Sequence, residues 1–346
     1  MLLQELSGIT EDIYLVEESY PAQRRIELTL RYLSGAYAFP EGEKMHLLRV
    51  KEGGRTLGLL LFNPGNEELP VDFWSVFTGA LAKESYRVQF EELVASVLAR
   101  NPAERELEVS SDLWRDAVNE YYSLMLVNRN LCPGCSTGAE SYNSVFSEQR
   151  VKRVSELFER LKAKGYSFEG GEGGEGGKSG KSGKSGKSGK SGKSGKSGKM
   201  LEVCCGNGMS TLALHRMGLD PLGVEVNKCT LCQGLEHGVL NPRKALVMDA
   251  TQLSEYFGPG SFETVVGFML GLVYEFNKGL WTGIVKEAAK VTAEGGLLLF
   301  TVKSRPEIEI LAKALGEAGV EGEIVDNEDS DGIFDQWLFV GRKGRS

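Results

Sequence analysis

The sequence predicts an α/β protein in two parts: an N-terminal α+β segment over 1–130, then a strand–helix alternation over 131–346. Three observations carry this. From Met200 onward short apolar runs alternate with helical periods, which implies a parallel sheet covered on both faces. The last two runs are separated only by the polar loop Asn327 to Gly332, which favours an antiparallel hairpin at the far side of the sheet. Ahead of residue 130, a hairpin signal and helical stripes replace that alternation. A length of 346 residues accommodates about two domains.

In the first part, Met45 to Val50 and Thr56 to Phe62 are apolar runs flanking Lys51-Glu52-Gly53-Gly54-Arg55, the pattern of a β-hairpin. Val71 to Ala99 carries apolar residues at helical spacing, with Phe90, Leu93, Val94, Val97 and Leu98 in one stripe, and Asn101-Pro102 ends it. A further helix is predicted over Ser111 to Leu126. No motif here points to a reaction, and the segment is expected to cap a substrate cleft. Phe146-Ser147 opens a helix whose apolar face is Val151, Val154, Leu157, Phe158 and Leu161, ending near Lys164-Gly165.

A low-complexity Gly/Lys/Ser loop follows at 169–199. Its Gly-Lys-Ser triplets do not make a phosphate-binding G-x-x-x-x-G-K-[ST] loop, because Lys or Glu occupies the position of the first Gly and no strand precedes it. The composition is that of a flexible, solvated linker.

The strands of the second part are predicted at Met200–Val203, Pro221–Val226, Ala245–Met248, Glu263–Gly267, Leu297–Val302, Glu323–Asp326 and Gln336–Gly341. Helices are predicted at Ser210–Met217, Leu253–Phe257, Leu280–Val291 and Pro306–Ala318. The first strand runs into Glu202-Val203-Cys204-Cys205-Gly206-Asn207-Gly208, where small residues let a ligand lie against the backbone at a helix start. The second strand ends in Glu225, a partner suited to a ribose diol. The third ends in Met248-Asp249-Ala250, where a carboxylate can accept from an exocyclic adenine amine. All three lie at carboxyl ends of successive strands, where open α/β sheets bind ligands.

On these motifs, with Phe-Glu-Thr-Val-Val from Phe262 and Glu-Gly-Gly-Leu-Leu-Leu-Phe from Glu294, the sequence resembles the class I S-adenosylmethionine-dependent methyltransferases. The resemblance implies a Rossmann-like seven-stranded sheet with an antiparallel last strand, and S-adenosyl-L-methionine as cofactor. Carried over, Glu202 orients the loop or approaches the cofactor's amino group. Cys204, Gly206 and Gly208 pack on its methionine part, and Asn207 between them also binds the cofactor. Glu225 holds the ribose, Val226 touches adenine, and Asp249 and Ala250 read the adenine edge. The stretch Tyr142 to Arg150 corresponds to a segment that closes over the cofactor. Phe268 and Met269 line the cofactor or the substrate pocket, or pack in the core. The N/D-P-P-[YF] loop of amine-methylating nucleic-acid enzymes is absent, so a small-molecule acceptor is expected first and a protein side chain second. Tyr274 and Glu275 are the nearest acid/base candidates, and no catalytic residue is assigned. A NAD-dependent oxidoreductase is the enzymatic alternative, weakened because Thr211 stands where G-x-G-x-x-G has its third Gly. A non-catalytic nucleotide- or metal-binding regulatory protein is the other.

Of the six cysteines, Cys204 and Cys205 read as loop residues beside the cofactor, and four remain to be placed. Cys132-Pro-Gly-Cys135 sets two sulfurs for one metal or for redox work, whereas Cys229 and Cys232 read as a buried helical pair. His215 reads as structural. The net charge is −8, and Tyr166 to Gly198 holds seven Lys and three Glu, so the remainder is near −12. That disfavours nucleic-acid binding unless a local basic patch exists. The best apolar run, Val265 to Val273, is too short for a membrane span, and Met1 to Ile13 shows no export signal. A cytoplasmic protein with reduced thiols is expected.

Overall fold

Four hydrophobic clusters hold two sheets and ten helices in place among the described residues. The computed structural model describes residues 1–17, 25–36, 45–67, 70–79, 83–100, 102–128, 148–168, 199–329, 332 and 334–345. Cys132, Cys135, Phe146, Ser147 and the Lys-Ser-Gly tract up to 198 lie outside the described residues.

The first part runs α1 (Leu2–Ser7), β1 (Asp12–Leu15), α2 (Glu27–Arg31), β2 (His46–Glu52), β3 (Arg55–Asn63), β4 (Phe73–Thr78), α3 (Glu84–Leu98), β5 (Ala103–Glu108) and α4 (Ser111–Val127). Its five strands take the order β1-β4-β3-β2-β5. The predicted hairpin is β2–β3. Gly53 and Gly54 both hold positive φ, 55° and 87°, as a two-residue turn matched to strand twist requires. The helical reading of Val71 to Ala99 is corrected at its start, since Phe73–Thr78 is a strand and the helix begins at Glu84. Trp74 and Val76 pack on the α4 side of the sheet while Phe77 packs on the α3 side. Burial on both faces removes the period-two signal that marks a half-exposed strand.

The second part runs α5 (Glu148–Ala163), β6 (Met200–Val203), α6 (Met209–Arg216), β7 (Leu222–Glu225), α7 (Lys228–Glu236), β8 (Ala245–Val247), α8 (Leu253–Tyr256), β9 (Phe262–Gly267), α9 (Lys278–Val291), β10 (Thr292–Val302), α10 (Arg305–Glu317), β11 (Val320–Asp326) and β12 (Trp337–Lys343). The seven strands take the order β11-β12-β10-β9-β6-β7-β8. β12 inserts antiparallel between β10 and β11, and the other observed pairings are parallel. This is the predicted seven-stranded sheet with its antiparallel last strand. Order reverses beside β6, so the carboxyl ends of β6 and β9 flank a crevice.

α5 presents the predicted face of Val151, Val154, Leu157, Phe158 and Leu161 to one side of this sheet, with Leu297, Leu299 and Val340 beneath it. α9 and α10 cover the opposite side through Ile284, Val285, Ile308 and Leu311. The two sheets share a core. Trp114, Val118, Tyr121 and Tyr122 of α4 join Leu231 and Leu235 of α7 and Val247 of β8 in one cluster with the first sheet. Among the described residues, no helix is long and apolar enough to cross a membrane.

Candidate cofactor cleft

β6, β7 and β8 are adjacent and parallel, so the three motifs read from the sequence end side by side at their carboxyl ends. The turn after β6 is held open by left-handed backbone at Cys204 (φ 55°), Gly206 (φ 58°) and Gly208 (φ 85°). The two glycines do different work. A Cβ on Gly206 would meet nothing closer than Thr230 Cγ2 at 4.0 Å, so this position faces open space. A Cβ on Gly208 would strike Leu240 Cδ2 at 2.7 Å and Val239 Cγ1 at 2.8 Å, so it serves the packing of α6 against the segment after α7.

The loop is tied to the second strand end. Glu225 accepts a hydrogen bond from the Gly206 amide through Oε2 at 3.1 Å and from the Asn227 amide through Oε1 at 2.8 Å. Each carboxylate oxygen has two acceptor sites, so Glu225 keeps capacity for two further donors. Asn227 in turn caps α7, accepting from Cys229 and Thr230 amides. Val226 is 66% exposed beside it. At the third strand end, Asp249 Oδ1 accepts from the Thr251 amide at 2.9 Å and its hydroxyl at 2.7 Å. Its Oδ2 has no hydrogen-bond partner among the described residues. Ala250 is buried under the turn that Asp249 caps.

Glu202 lies beneath the loop and is fully buried. Its Oε1 accepts from the Ser210 hydroxyl and its Oε2 from the Thr211 hydroxyl at 2.6 Å, which fixes the start of α6. Burial raises its carboxyl above the ordinary range, against the pull of those two hydroxyls and of the His215 and Arg150 charges. Burial also pushes the Cys204 thiol up to about 12, reinforced by the Glu225, Asp249 and Glu202 charges. Cys205 is pushed up in the same way, by burial first. Both sulfurs are therefore neutral thiols with little nucleophilic character at neutral pH.

The far wall follows β9. Met269, at φ 50°, donates its amide to Thr301 Oγ1 at 2.7 Å, and the Thr301 hydroxyl donates to Asp335, which receives Arg150 Nε at 3.2 Å. Arg150 is the end of the predicted covering segment; of that segment only 148–150 is described. Phe268 is buried with its ring centroid 6.0 Å from that of Phe158, within the α5 core. Beyond it, Tyr274 and Phe276 stack at 5.5 Å and 11°, and Phe276 is 87% exposed. Glu275 pairs with Lys278.

Sequence reasoning assembled Glu202, Cys204, Gly206, Asn207, Gly208, Glu225, Val226, Asp249 and Ala250 at neighbouring strand ends. It missed the supporting Asn227 and Thr251, although Asx and hydroxyl residues just past a strand-end acid are cap signals. The pair expected to be buried is only half-buried: Cys229 and Cys232 lie on α7, with the Cys232 thiol donating to the Leu126 carbonyl at 3.7 Å. His215 Nε2 sits 3.4 Å from Asp220 on the last turn of α6. Among the described residues no three His, Cys, Asp or Glu side chains gather as metal ligands.

No protein-family model matches the sequence, and no curated protein matches it significantly. Solved structures that resemble it include an S-adenosylmethionine-dependent methyltransferase from Methanosarcina mazei, 17% identical, with a TM-score of 0.32 over 43% of this chain and 93% of that one. Another, from Archaeoglobus fulgidus, is 12% identical, with a TM-score of 0.33 over 42% and 86%. Phosphoethanolamine N-methyltransferase 2 from Haemonchus contortus, in complex with S-adenosyl-L-methionine, is 16% identical, with a TM-score of 0.31 over 43% and 49%.

Proposed function

We propose that the chain is a class I methyltransferase that binds S-adenosyl-L-methionine at the carboxyl ends of β6, β7 and β8. The observation that carries the reading is the bond from the Gly206 amide to Glu225, which holds an open glycine turn against a strand-end carboxylate with acceptor capacity to spare. The residues present fit the cofactor. Gly206 leaves room for the methionine portion, Glu225 for a ribose diol, Val226 for an apolar base face, and Asp249 Oδ2 for an exocyclic amine. When bound, the cofactor supplies an electrophilic methyl on a sulfonium. The chain's contribution is to bind and orient, which is where most of such a transfer's acceleration arises.

A nicotinamide cofactor fits less well. Thr211, at the third position of the glycine fingerprint, spends its hydroxyl on buried Glu202 instead of allowing close helix–strand packing. On the acceptor side, the segment after β9 offers the Tyr274–Phe276 stack, a surface suited to a small molecule with an apolar or flat face.

Calorimetric titration of S-adenosylmethionine, S-adenosylhomocysteine and NAD into wild type, Glu225→Ala and Asp249→Ala tests the assignment. The expected result is micromolar binding of both adenosyl-sulfur ligands, weakened about tenfold by each substitution, the effect of about 1.4 kcal/mol per lost polar contact. Binding of NAD alone, or of none of the three, overturns it.

A further inference from the structure

A second concave site lies at the opposite end of the parallel sheet. Lys199 precedes β6 and Phe262 opens β9, whereas the Cys204–Gly208 loop follows β6, so the length of that strand, about 13 Å at ~3.3 Å per residue, separates the two. The cavity is about 510 Å³, and its wall brings together Arg55 of β3, Arg87 of α3, Arg115 and Asp112 of α4, Lys199 and Phe257. Four cations face one carboxylate.

That carboxylate is already committed. Asp112 accepts from Arg115 through Oδ1 at 2.7 Å and from the Lys199 ammonium through Oδ2. Arg87 pairs with the largely exposed Glu84. The Nε groups of Arg87 and Arg115 are buried with no hydrogen-bond partner among the described residues. The Arg115 guanidinium lies over the Phe257 ring, 5.8 Å from its centroid. Burial and the nearby Arg87 charge pull Arg55 below the ordinary guanidinium range, while Glu52 and Glu91 oppose that shift. Like charges gathered in a half-buried cavity, with donors left unsatisfied, are unfavourable unless an anion occupies the space.

The chemistry of the wall selects the anion. Guanidinium forks match phosphoryl oxygens two at a time, and a Lys ammonium adds a point charge. The amino terminus of the 17-residue α4 opens on the same wall, but its Ser111 amide already donates to Glu52 at 2.8 Å and its Leu113 amide to the Ser110 hydroxyl, so the anion's partners are the four side chains. The acidic body of the protein repels an extended polyanion, so a compact ligand is favoured. We propose that the cavity bounded by Arg55, Arg87, Arg115 and Lys199 binds the phosphate or diphosphate group of a small ligand, at a site separate from the cofactor cleft. Its walls come from both parts of the chain, so an occupant also fastens them together. This local basic patch is the exception that the overall charge left open, and it does not depend on the methyltransferase reading.

The test is calorimetric titration of the full chain, at constant ionic strength, with inorganic phosphate, pyrophosphate, ADP and a sulfate control, alongside thermal unfolding. Saturable submillimolar binding of pyrophosphate or ADP is expected, with a rise in Tm. Arg87→Gln and Lys199→Gln should each weaken it at least tenfold while S-adenosylmethionine binding is unchanged; Lys199 is exposed enough that its substitution leaves the fold intact. Equal affinity for pyrophosphate and ADP assigns a free-anion site, and tighter ADP binding assigns a nucleotide. The proposal is overturned if sulfate and the phosphates act alike without saturation, or if both variants bind as wild type does. It is equally overturned if the only ADP binding survives Arg87→Gln and Lys199→Gln but is lost in Glu225→Ala, since that places ADP in the cofactor cleft.

Discussion

Glu202 shows how one buried carboxyl sets a pH dependence. Its folded-state pKa is raised by burial from the ordinary 4.5, at which it titrates when unfolded. The folded protein therefore holds this proton to a higher pH than the unfolded chain does. The associated stability is fully present below about 4.5 and is lost as pH rises through the raised value. Glu202→Gln is uncharged throughout, and the Ser210 and Thr211 hydroxyls can rotate to serve an amide. Urea unfolding of wild type and Glu202→Gln at about pH 5 and about pH 8 should show the variant gaining relative to wild type at the higher pH. A difference that does not change with pH would mean that the two hydroxyl donors hold the carboxylate charged throughout. The identity of this residue was legible in the sequence, as an acid beside a glycine turn. Its orientation was not, because the choice between reaching a ligand and anchoring a helix depends on Ser210 and Thr211 lying beneath the loop.

At the scale of elements, the wall after β9 and the start of α10 stand on a single side chain. Glu307 Oε2 accepts from the Ser304 amide and hydroxyl, each at 2.7 Å, closing a capping box, while its Oε1 accepts from the Val273 amide at 2.8 Å. Asn277 and Trp281 then hold the Leu272 carbonyl at 2.9 Å and 3.2 Å. Glu307→Ala removes a cap and strands a buried amide, so a loss of about 2 kcal/mol is expected, together with faster hydrogen exchange at Val273. Unchanged exchange at Val273 would show that the wall is held by Asn277 and Trp281 alone. The same local rules explain what was readable. Strands and helices after Met200 followed their periodicities closely, because each helix buries one stripe. β5 was missed because Ala103–Glu108 is charged along its length; it is an edge strand, and Lys51 meets Glu106 across it at 2.8 Å. β1 was missed because four residues are too short to show alternation against background. β4 reads as helical in the sequence because both its faces are buried.

For the whole molecule, the decisive feature is that α4 belongs to both sheets. Trp114 is buried and donates its indole N–H to Thr78 Oγ1 at 3.2 Å on the first sheet's side. Further along the same helix, Asn119 and Ser123 reach the Arg243 and Ala245 carbonyls of the second part, both at 3.4 Å, and Arg243 pairs with Glu120 at 3.0 Å. No periodicity in the sequence announces this, because contacts between residues more than 100 positions apart leave no local signature; for the same reason the residues of the cationic cavity appear unrelated along the chain. A helix whose opposite contacts serve two sheets couples their stabilities, since its loss uncovers one face of the first sheet and the β8 edge of the second at once. Trp114→Ala removes the largest of those buried side chains, an expected cost of about 3–5 kcal/mol. If the coupling holds, far-ultraviolet circular dichroism and a fluorescent probe attached at Cys229 on α7 should report one shared transition in urea, displaced equally in the variant. A Cys229 transition that stays where wild type has it, while circular dichroism shows an early loss, would establish that the second sheet unfolds on its own and that α4 is only a lid upon it.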